Sequence, residues 1–204
     1  MPSAIANTAI VFAQEAFNNK VCENPLNSNS GPEVNQYLAS VGLKPGNEWC
    51  MSFAYWCFNE AAVQSGIQNP LYKTGLCYQQ WQESPANQVQ TPDVGDLLVF
   101  KDEPGEFCQL TAQARLNPKA AMDLMKMEHT FLLNTVHGHV GLVTEILAGN
   151  ILSTIEGNTN WPGLPGGDSY VNTRQYNYKI TCKDGYNSAG IHTGRRVILG
   201  YLRF

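Results

Sequence analysis

One stretch of the chain, residues 49–64, is apolar on almost every side of the helix that it would form. Its apolar residues include Met51, Phe53, Ala54, Tyr55, Trp56, Phe58, Ala61, Ala62 and Val63. A helix at the surface keeps one polar face, so a helix of this composition must be covered by other elements. The turn residues 45–47 precede it and Gly66 follows it, which predicts a buried helix from about Trp49 to Gln64.

Helical patterns come before strand patterns along the rest of the chain. Helices are predicted at 3–17, at 33–40 between Pro32 and Gly42, and at 78–82. Strands are predicted at 97–100, 139–147, 150–156, within 169–180 and at 196–204. Ala148-Gly149 is expected to join the second and third strands as a tight hairpin. Helices followed by a mostly antiparallel sheet indicate an α+β fold.

The length and charge of the chain limit its organisation and its partners. The 204 residues fit a single domain spanning 1–204. The net charge is −4 and Lys and Arg do not cluster, so no nucleic-acid or anionic-lipid partner is expected. No apolar run reaches the roughly 18 residues of a membrane helix, so membrane insertion is not expected.

The first seventeen residues lack the basic segment and the cleavage site of a signal peptide. We therefore expect the protein to be made in the cytoplasm without a signal peptide. If it acts outside the cell, it must be released or exported by other means.

Six cysteines occur, and one of them is placed differently from the rest. They are Cys22, Cys50, Cys57, Cys77, Cys108 and Cys182, without a C-x-x-C pair that would indicate structural zinc. Cys50 lies in the first turn of the predicted buried helix. The unpaired N–H groups and the dipole of a helix start favour a thiolate and can stabilise an oxyanion. The other five are expected to be buried or free thiols.

His139 and two later polar residues are candidates to act with Cys50. His139 begins a Val- and Ile-rich strand, a suitable place for a general base. Its alternatives are a structural histidine, or a metal ligand together with His137, for which the spacing shows no third ligand. Glu156 or Asn158, at the end of the next predicted strand, can orient the imidazole and set its tautomer. The residues themselves do not choose between these two.

Four segments of the chain resemble, in the family order, the boxes of CHAP domains, relatives of the NlpC/P60 peptidoglycan hydrolases. They read GNEWCMSFAYWC at 46–57, PDVGDLLVF at 92–100, HGHVGLV at 137–143 and IEGNT at 155–159. Upstream, NSGPEVNQYL at 29–38 is similar to members found in phage lysins. The resemblance implies a papain-like fold in which the N-terminal helices pack on an antiparallel sheet.

The same resemblance implies the chemistry. Cys50 matches the nucleophile, His139 the base, and Glu156 with Asn158 the polar residues that complete the site. The implied reaction is hydrolysis of an amide bond in peptidoglycan, as an N-acetylmuramoyl-L-alanine amidase or as a stem-peptide or cross-bridge endopeptidase, without a cofactor. We further expect Asn47, Trp49 and Trp161 to contact the substrate. Asn47 and Trp49 lie just before Cys50 in the sequence, and Trp161 lies just after Asn158.

Two departures from the family pattern bear on these expectations. Some members carry an aspartate-rich calcium loop before the cysteine, but residues 42–49 contain only Glu48, so no metal is expected. The spacing between Asp96 and His139 exceeds the usual family spacing, which predicts a helical insertion at about 101–136. A helix is expected within it at 111–127, where helix formers accompany apolar positions.

Other functions stay open at this point. One alternative is a papain-like protease acting on proteins, and another is a non-catalytic cell-wall-binding module. As a peptidoglycan hydrolase, the protein is expected to reach the wall or periplasm through phage lysis, release or injection. If it is a secreted antibacterial effector, an inhibitor (immunity) protein is expected to protect the producing cell. Tyr170, Tyr176 and Tyr178 are expected either to line a substrate groove or to pack within strands.

Overall fold

The computed structural model describes residues 3–104, 138–180, 182–186 and 192–204. The helices described there are α1 Ala4–Asn18, α2 Pro32–Ser40, α3 Cys50–Ser65 and α4 Cys77–Gln82. The strands are β1 Gln88–Val89, β2 Leu97–Pro104, β3 Gly138–Leu147, β4 Ile151–Thr159, β5 Tyr170–Asn177, β6 Cys182–Tyr186 and β7 His192–Leu202. The α+β fold class, with helices first, is confirmed. The helix predicted at 111–127 lies outside the described residues.

The strands form one antiparallel sheet in the order β1-β7-β2-β3-β4-β5, with β6 paired to β7. Strands β3 and β4, predicted from their apolar patterns, lie side by side. Phe100 of β2 is opposite His139 of β3, and Glu156 of β4 is opposite Asn172 of β5. The register therefore places the candidate histidine and the candidate glutamate on adjacent strands, near the same end of the sheet.

Helix α3 is the centre of the core, as its composition predicts. It contacts α1 and α2 on one side and strands β3 and β4 on the other. Ten of its sixteen residues are buried, which is why both its faces can be apolar. Gly66 ends it in the left-handed conformation, with φ 65°. The sheet and the helices thus enclose the helix whose first residue is Cys50.

Some local features differ from the expectations. Strand β2 continues to Pro104, beyond the predicted end at 100, because Lys101 pairs with both Gly138 and Val197. The β3–β4 connection is a three-residue turn, Ala148–Asn150, rather than a two-residue hairpin. The short strand β1 and the strand β6 were not predicted. Residues 105–136 of the predicted insertion lie outside the described part of the chain.

None of the helices described is long and apolar enough to cross a membrane.

Candidate active site

Cys50 is the first residue of α3 and is almost fully buried, at 4% exposure. The residue before it, Trp49, caps the helix with its backbone, and the Trp49 carbonyl accepts a hydrogen bond from the N–H of Phe53 at 2.8 Å. The Cys50 thiol thus sits at the N-terminal end of a helix that the core holds in place. This is the position that the sequence predicts for it.

His139 and Glu156 form a buried ion pair between strands β3 and β4. Nε2 of His139 donates to Oε2 of Glu156 at 2.8 Å, and both side chains are nearly inaccessible. Oε1 of Glu156 accepts a hydrogen bond from the Thr154 hydroxyl at 2.6 Å. The Tyr176 side chain on β5 also interacts with the Glu156 carboxylate and lowers its pKa. The carboxylate is therefore held by three neighbours and in turn fixes the orientation of the imidazole.

The imidazole of His139 also interacts with Cys50. This side-chain interaction lowers the pKa of the thiol and contributes to raising the pKa of the imidazole. Because Nε2 is engaged with Glu156, Nδ1 is the ring nitrogen left available to Cys50. Glu156, rather than Asn158, is therefore the residue that orients the ring. Asn158 instead has a left-handed backbone, with φ 53°, and lines a separate polar cavity.

The surroundings of Cys50 favour its thiolate. A hydrogen bond from the Cys77 thiol is the largest cause that lowers the pKa of Cys50, and burial opposes it. A hydrogen bond to His139, the charge of that imidazole and the backbone N–H of Met51 lower the pKa further. The balance leaves the pKa of Cys50 well below that of an ordinary thiol. The helix-start N–H groups expected from the sequence contribute, but the neighbouring side chains contribute more.

The surroundings of His139 favour its charged form. Burial by itself lowers the pKa of His139, but the Glu156 carboxylate and the hydrogen bond to Cys50 override it and raise the pKa to about 10. Burial raises the pKa of Glu156, but the charge of His139 and the hydrogen bonds to the carboxylate together outweigh burial, so the pKa of Glu156 is lowered. These shifts favour a thiolate at Cys50, an imidazolium at His139 and a carboxylate at Glu156. The thiolate can attack a carbonyl carbon, and the imidazolium can protonate a leaving group.

Cys77 is a member of this site that the sequence did not indicate. Its Sγ lies 3.5 Å from Sγ of Cys50, within reach of an S–H···S hydrogen bond. The two residues are 27 positions apart and begin two different helices, α3 and α4. No spacing motif links them, so only the folded chain brings them together. Tyr176 was missed as a neighbour of Glu156 for the same reason, whereas Thr154 lies only two residues before Glu156 on the same face of β4.

The expected substrate contact by Trp49 is corrected by the structure. Trp49 has no exposed surface, and its ring packs against Tyr37 and Phe53. Its indole N–H donates to Oε1 of the buried Glu23 at 2.9 Å. Oε2 of Glu23 accepts from the N–H of Asn29 at 2.9 Å. Trp49 is therefore a core residue that anchors the start of α3 rather than a surface that can meet a ligand.

Asn47 and Trp161, the other two expected substrate contacts, lie at or near the surface. Asn47 is exposed, and its amide donates to the Lys44 carbonyl at 2.9 Å. Trp161 is half-buried and stacks on Phe17, with ring centroids 5.7 Å apart. Their contact with a substrate stays a prediction.

A polar cavity of about 270 Å³ is separate from Cys50, His139 and Glu156, none of which lines it. Its lining residues are Glu23, Asn27, Asn29, Glu48, Asn158, Asp168 and Ser169. Across the described ranges, no group of three or more His, Cys, Asp or Glu side chains is arranged to hold a metal ion. His137, the partner that a His-x-His metal pair would require, lies outside these ranges.

Two glycines let the strands approach the helix and the carboxylate closely. A Cβ at Gly157 would lie 2.7 Å from both Phe53 Cβ and Trp49 Cζ3, at the start of α3. A Cβ at Gly141 would lie 2.8 Å from Oε1 of Glu156. These positions belong to the segments 155–159 and 137–143 that also carry Glu156 and His139. Glycine at both therefore permits the geometry that joins the histidine, the glutamate and the cysteine.

Comparison with known protein families gives one match. The family model described as CHAP domain matches residues 42–158, more than half of the chain. Among curated proteins and among solved structures, no match is found. The matched range contains Cys50, His139 and Glu156 in one continuous stretch.

Proposed function

Because this chain belongs to the CHAP domain family, whose members hydrolyse amide bonds of peptidoglycan, we propose that it cleaves such a bond with Cys50 as the nucleophile. In this proposal His139 is the general acid and base, and Glu156 orients and stabilises its ring. The bond is that of an N-acetylmuramoyl-L-alanine amidase or of a stem-peptide or cross-bridge endopeptidase.

The observation that carries the proposal is the continuous row of contacts from Cys50 through His139 to Glu156. Nε2 of His139 donates to Oε2 of Glu156 at 2.8 Å, which leaves Nδ1 available to Cys50, and the side chains of His139 and Cys50 shift each other's pKa. A nucleophile, a base and an orienting acceptor in this order are the arrangement of cysteine hydrolases. A wall-binding module requires no such row, so the contacts favour an enzyme over a binding role.

In the first half of the reaction, the Cys50 thiolate attacks the carbonyl carbon of the scissile amide. The negative charge moves to the carbonyl oxygen, and free N–H groups at the start of α3 are suitably placed to stabilise it. The imidazolium of His139 then donates the proton on Nδ1 to the leaving amine. The C–N bond breaks, the amine departs and an acyl group stays on Sγ.

In the second half, a water molecule replaces the amine. Neutral His139 takes a proton from this water through Nδ1, and the resulting hydroxide attacks the thioester carbonyl. The C–S bond breaks, the carboxylic acid departs, and the thiolate–imidazolium pair is restored. Throughout, the Glu156 carboxylate accepts from Nε2–H and stabilises the positive ring.

The test is digestion of isolated peptidoglycan by the purified protein. We expect wild-type protein to release soluble fragments and Cys50→Ala to release none above the blank. Cys22→Ala is the matched control, because Cys22 is a half-buried free thiol and is not among the groups that shift the pKa of Cys50, and it should keep wild-type activity. Equal digestion by the Cys50→Ala protein would remove Cys50 as the nucleophile.

Mass spectrometry of the released fragments identifies the bond. A new amino terminus on L-alanine, with muramic acid left as a free acid, indicates the amidase, whereas new ends within the peptides indicate an endopeptidase. Cleavage of unfolded proteins without any cleavage of peptidoglycan would instead favour a protease acting on proteins.

The biological setting belongs to the same proposal. We place the action of the protein on the wall or in the periplasm, after phage lysis, release or injection. If injection is the route, the producing cell requires an immunity protein that blocks the site. Co-expression with the neighbouring genes of its own locus, followed by affinity purification, is the measurement that detects such an inhibitor.

A further inference from the structure

The thiol of Cys77 lies against the proposed nucleophile but has no part in the hydrolytic steps. Its Sγ is 3.5 Å from Sγ of Cys50, and both residues are almost fully buried, at 5% and 4% exposure. A Cβ built at Gly138 would lie 3.4 Å from Cys77 Cβ, so Cys77 also adjoins the residue that precedes His139. The two sulfurs therefore face each other on the histidine side of the site.

We propose that Cys50 and Cys77 are an oxidative modification site, at which a hydroperoxide converts the two thiols into a reversible disulfide. Cys77 is then a resolving cysteine that stores the nucleophile in an inactive but recoverable form. The effect on hydrolysis rests on the proposed function, whereas formation of the disulfide does not.

The geometry requires only a small movement. A disulfide has an S–S bond of about 2.05 Å, so the two sulfurs must approach by about 1.5 Å from their separation of 3.5 Å. Side-chain rotation at two residues that each begin a helix can supply a movement of this size. The other free thiol of α3, Cys57, is buried two turns further along the helix.

The oxidation proceeds in two balanced steps. The Cys50 thiolate attacks one oxygen of hydrogen peroxide, the O–O bond breaks, and hydroxide leaves, so Cys50 becomes a sulfenic acid. Sγ of Cys77 then attacks Sγ of Cys50, the S–O bond breaks, and the hydroxyl leaves as water with the Cys77 proton. In total two thiols lose two electrons and two protons, and one peroxide becomes two water molecules.

The electrostatics of the pair determine which sulfur reacts first. The hydrogen bond with Cys50, burial and the charge of Cys50 all raise the pKa of Cys77, so Cys77 stays a thiol while Cys50 is the thiolate. Conversion of Cys50 to a neutral sulfenic acid removes its negative charge. Two of the causes that hold the proton on Cys77 are then gone, and Cys77 becomes the attacking group.

The test uses the full chain with hydrogen peroxide, followed by alkylation of the remaining thiols and mass spectrometry of peptides without reduction. We expect a cross-linked peptide pair joining Cys50 to Cys77, two hydrogen atoms lighter than the separate thiols. Dithiothreitol should restore both thiols and the digestion of peptidoglycan. Cys57→Ala is the matched control and should form the same link, because burial raises the pKa of Cys57 and keeps it unreactive.

The variant Cys77→Ala distinguishes disulfide formation through Cys77 from direct oxidation of Cys50 by peroxide. Without Cys77, peroxide should carry Cys50 to the sulfinic acid, which dithiothreitol does not reverse, so the recoverable fraction should fall at least about tenfold. Irreversible oxidation of Cys50 in the wild-type protein, or a link from Cys50 to another cysteine, would overturn the proposal. If circular dichroism shows that Cys77→Ala does not fold, the peptide map of the peroxide-treated wild-type protein tests the proposal by itself. Because this map measures the oxidation state of the cysteines and not activity, it tests disulfide formation even if peptidoglycan is not the substrate.

Discussion

Cys50 owes its ionisation to three neighbours of different kinds. The Cys77 thiol donates a hydrogen bond, the His139 imidazolium contributes both a hydrogen bond and a charge, and the Met51 N–H contributes the helix start. Burial acts against all of them, because a low-polarity environment disfavours a charge. The thiolate is thus maintained by specific contacts that outweigh a general penalty, and each contact can be removed by one substitution.

The first prediction concerns how the reactivity of the Cys50 thiol depends on pH. We expect its rate of alkylation by iodoacetamide to rise with pH around an inflection well below the reference of about 8.5 for a free thiol. Alkylation needs no acid catalyst, so it should stay high up to alkaline pH. Hydrolysis should instead decline as the pH passes about 10, where His139 loses the proton that it gives to the leaving amine in the proposed mechanism.

Urea-unfolded protein is the control for this profile and should alkylate with the ordinary inflection. A folded-state inflection near the unfolded one would show that Cys50 is not activated.

The second prediction concerns Glu156→Gln. Loss of the carboxylate charge should lower the pKa of His139 from about 10 toward its ordinary value, because that charge is the largest cause that raises it. The alkaline decline of hydrolysis should then move to lower pH, and activity at neutral pH should fall on the order of 10²- to 10⁴-fold. The measurement is the pH profile of peptidoglycan digestion.

Glu145→Gln is the matched control for that experiment, since Glu145 lies exposed on the neighbouring strand β3. It should leave both the profile and the rate unchanged. An unshifted alkaline limb in Glu156→Gln would mean that the carboxylate does not govern the imidazole.

At the scale of elements, the site depends on how closely strand β4 approaches the start of α3. Gly157 lies where any Cβ would meet Phe53 and Trp49 at 2.7 Å. Trp49 is itself held by Glu23, so the helix start cannot easily move aside. A rigid helix start and a strand without a side chain at that point together determine where Glu156 lies relative to Cys50.

The third prediction is that Gly157→Ala both destabilises the protein and weakens the activation of Cys50. Overpacking of this kind costs about 1–3 kcal/mol of unfolding free energy. Displacement of β4 should also move Glu156 and His139 away from Cys50, so the alkylation inflection should rise. Urea unfolding and the alkylation profile measure the two effects.

Asn160→Ala, in the adjoining loop, is the control for Gly157→Ala. Its side chain is exposed, and the backbone oxygen that accepts from Asn172 is retained. A Gly157→Ala protein as stable and as reactive as this control would show that the close approach is not required.

For the molecule as a whole, the sheet is closed by the last strand of the chain. Strand β7 lies between β1 and β2, so the C-terminus pairs with residues about a hundred positions earlier. Arg203 secures this closure through two hydrogen bonds to Asp96, of 2.8 and 2.7 Å. Asp96 is buried, at 1% exposure, and lies just before β2. It is four residues before Phe100, which pairs with His139.

The fourth prediction is that Arg203→Ala lowers stability without altering the site. Loss of two hydrogen bonds to a buried carboxylate should reduce the unfolding free energy by about 1–3 kcal/mol. The alkylation profile of Cys50 in the folded protein should not change, because Arg203 contacts none of the groups around it. Lys73→Ala, at an exposed lysine, is the control for the loss of one positive charge.

Local patterns in the sequence were sufficient to predict much of this protein. The central helix, its end at Gly66, the order of helices before strands and the candidates Cys50, His139 and Glu156 all follow from apolar periodicity, turn residues and the family boxes. Such patterns report on neighbours within a few residues, which is the range over which helices and strands are specified. The family match over 42–158 agrees with them.

The tertiary structure alone decided which polar groups meet. It chose Glu156 over Asn158 as the partner of the imidazole, placed Trp49 in the core, and brought Cys77 within 3.5 Å of Cys50. It also paired β7 with β1 and β2 across the length of the chain. Contacts between residues far apart in sequence depend on strand register and helix packing, which leave no periodic trace in the amino-acid order.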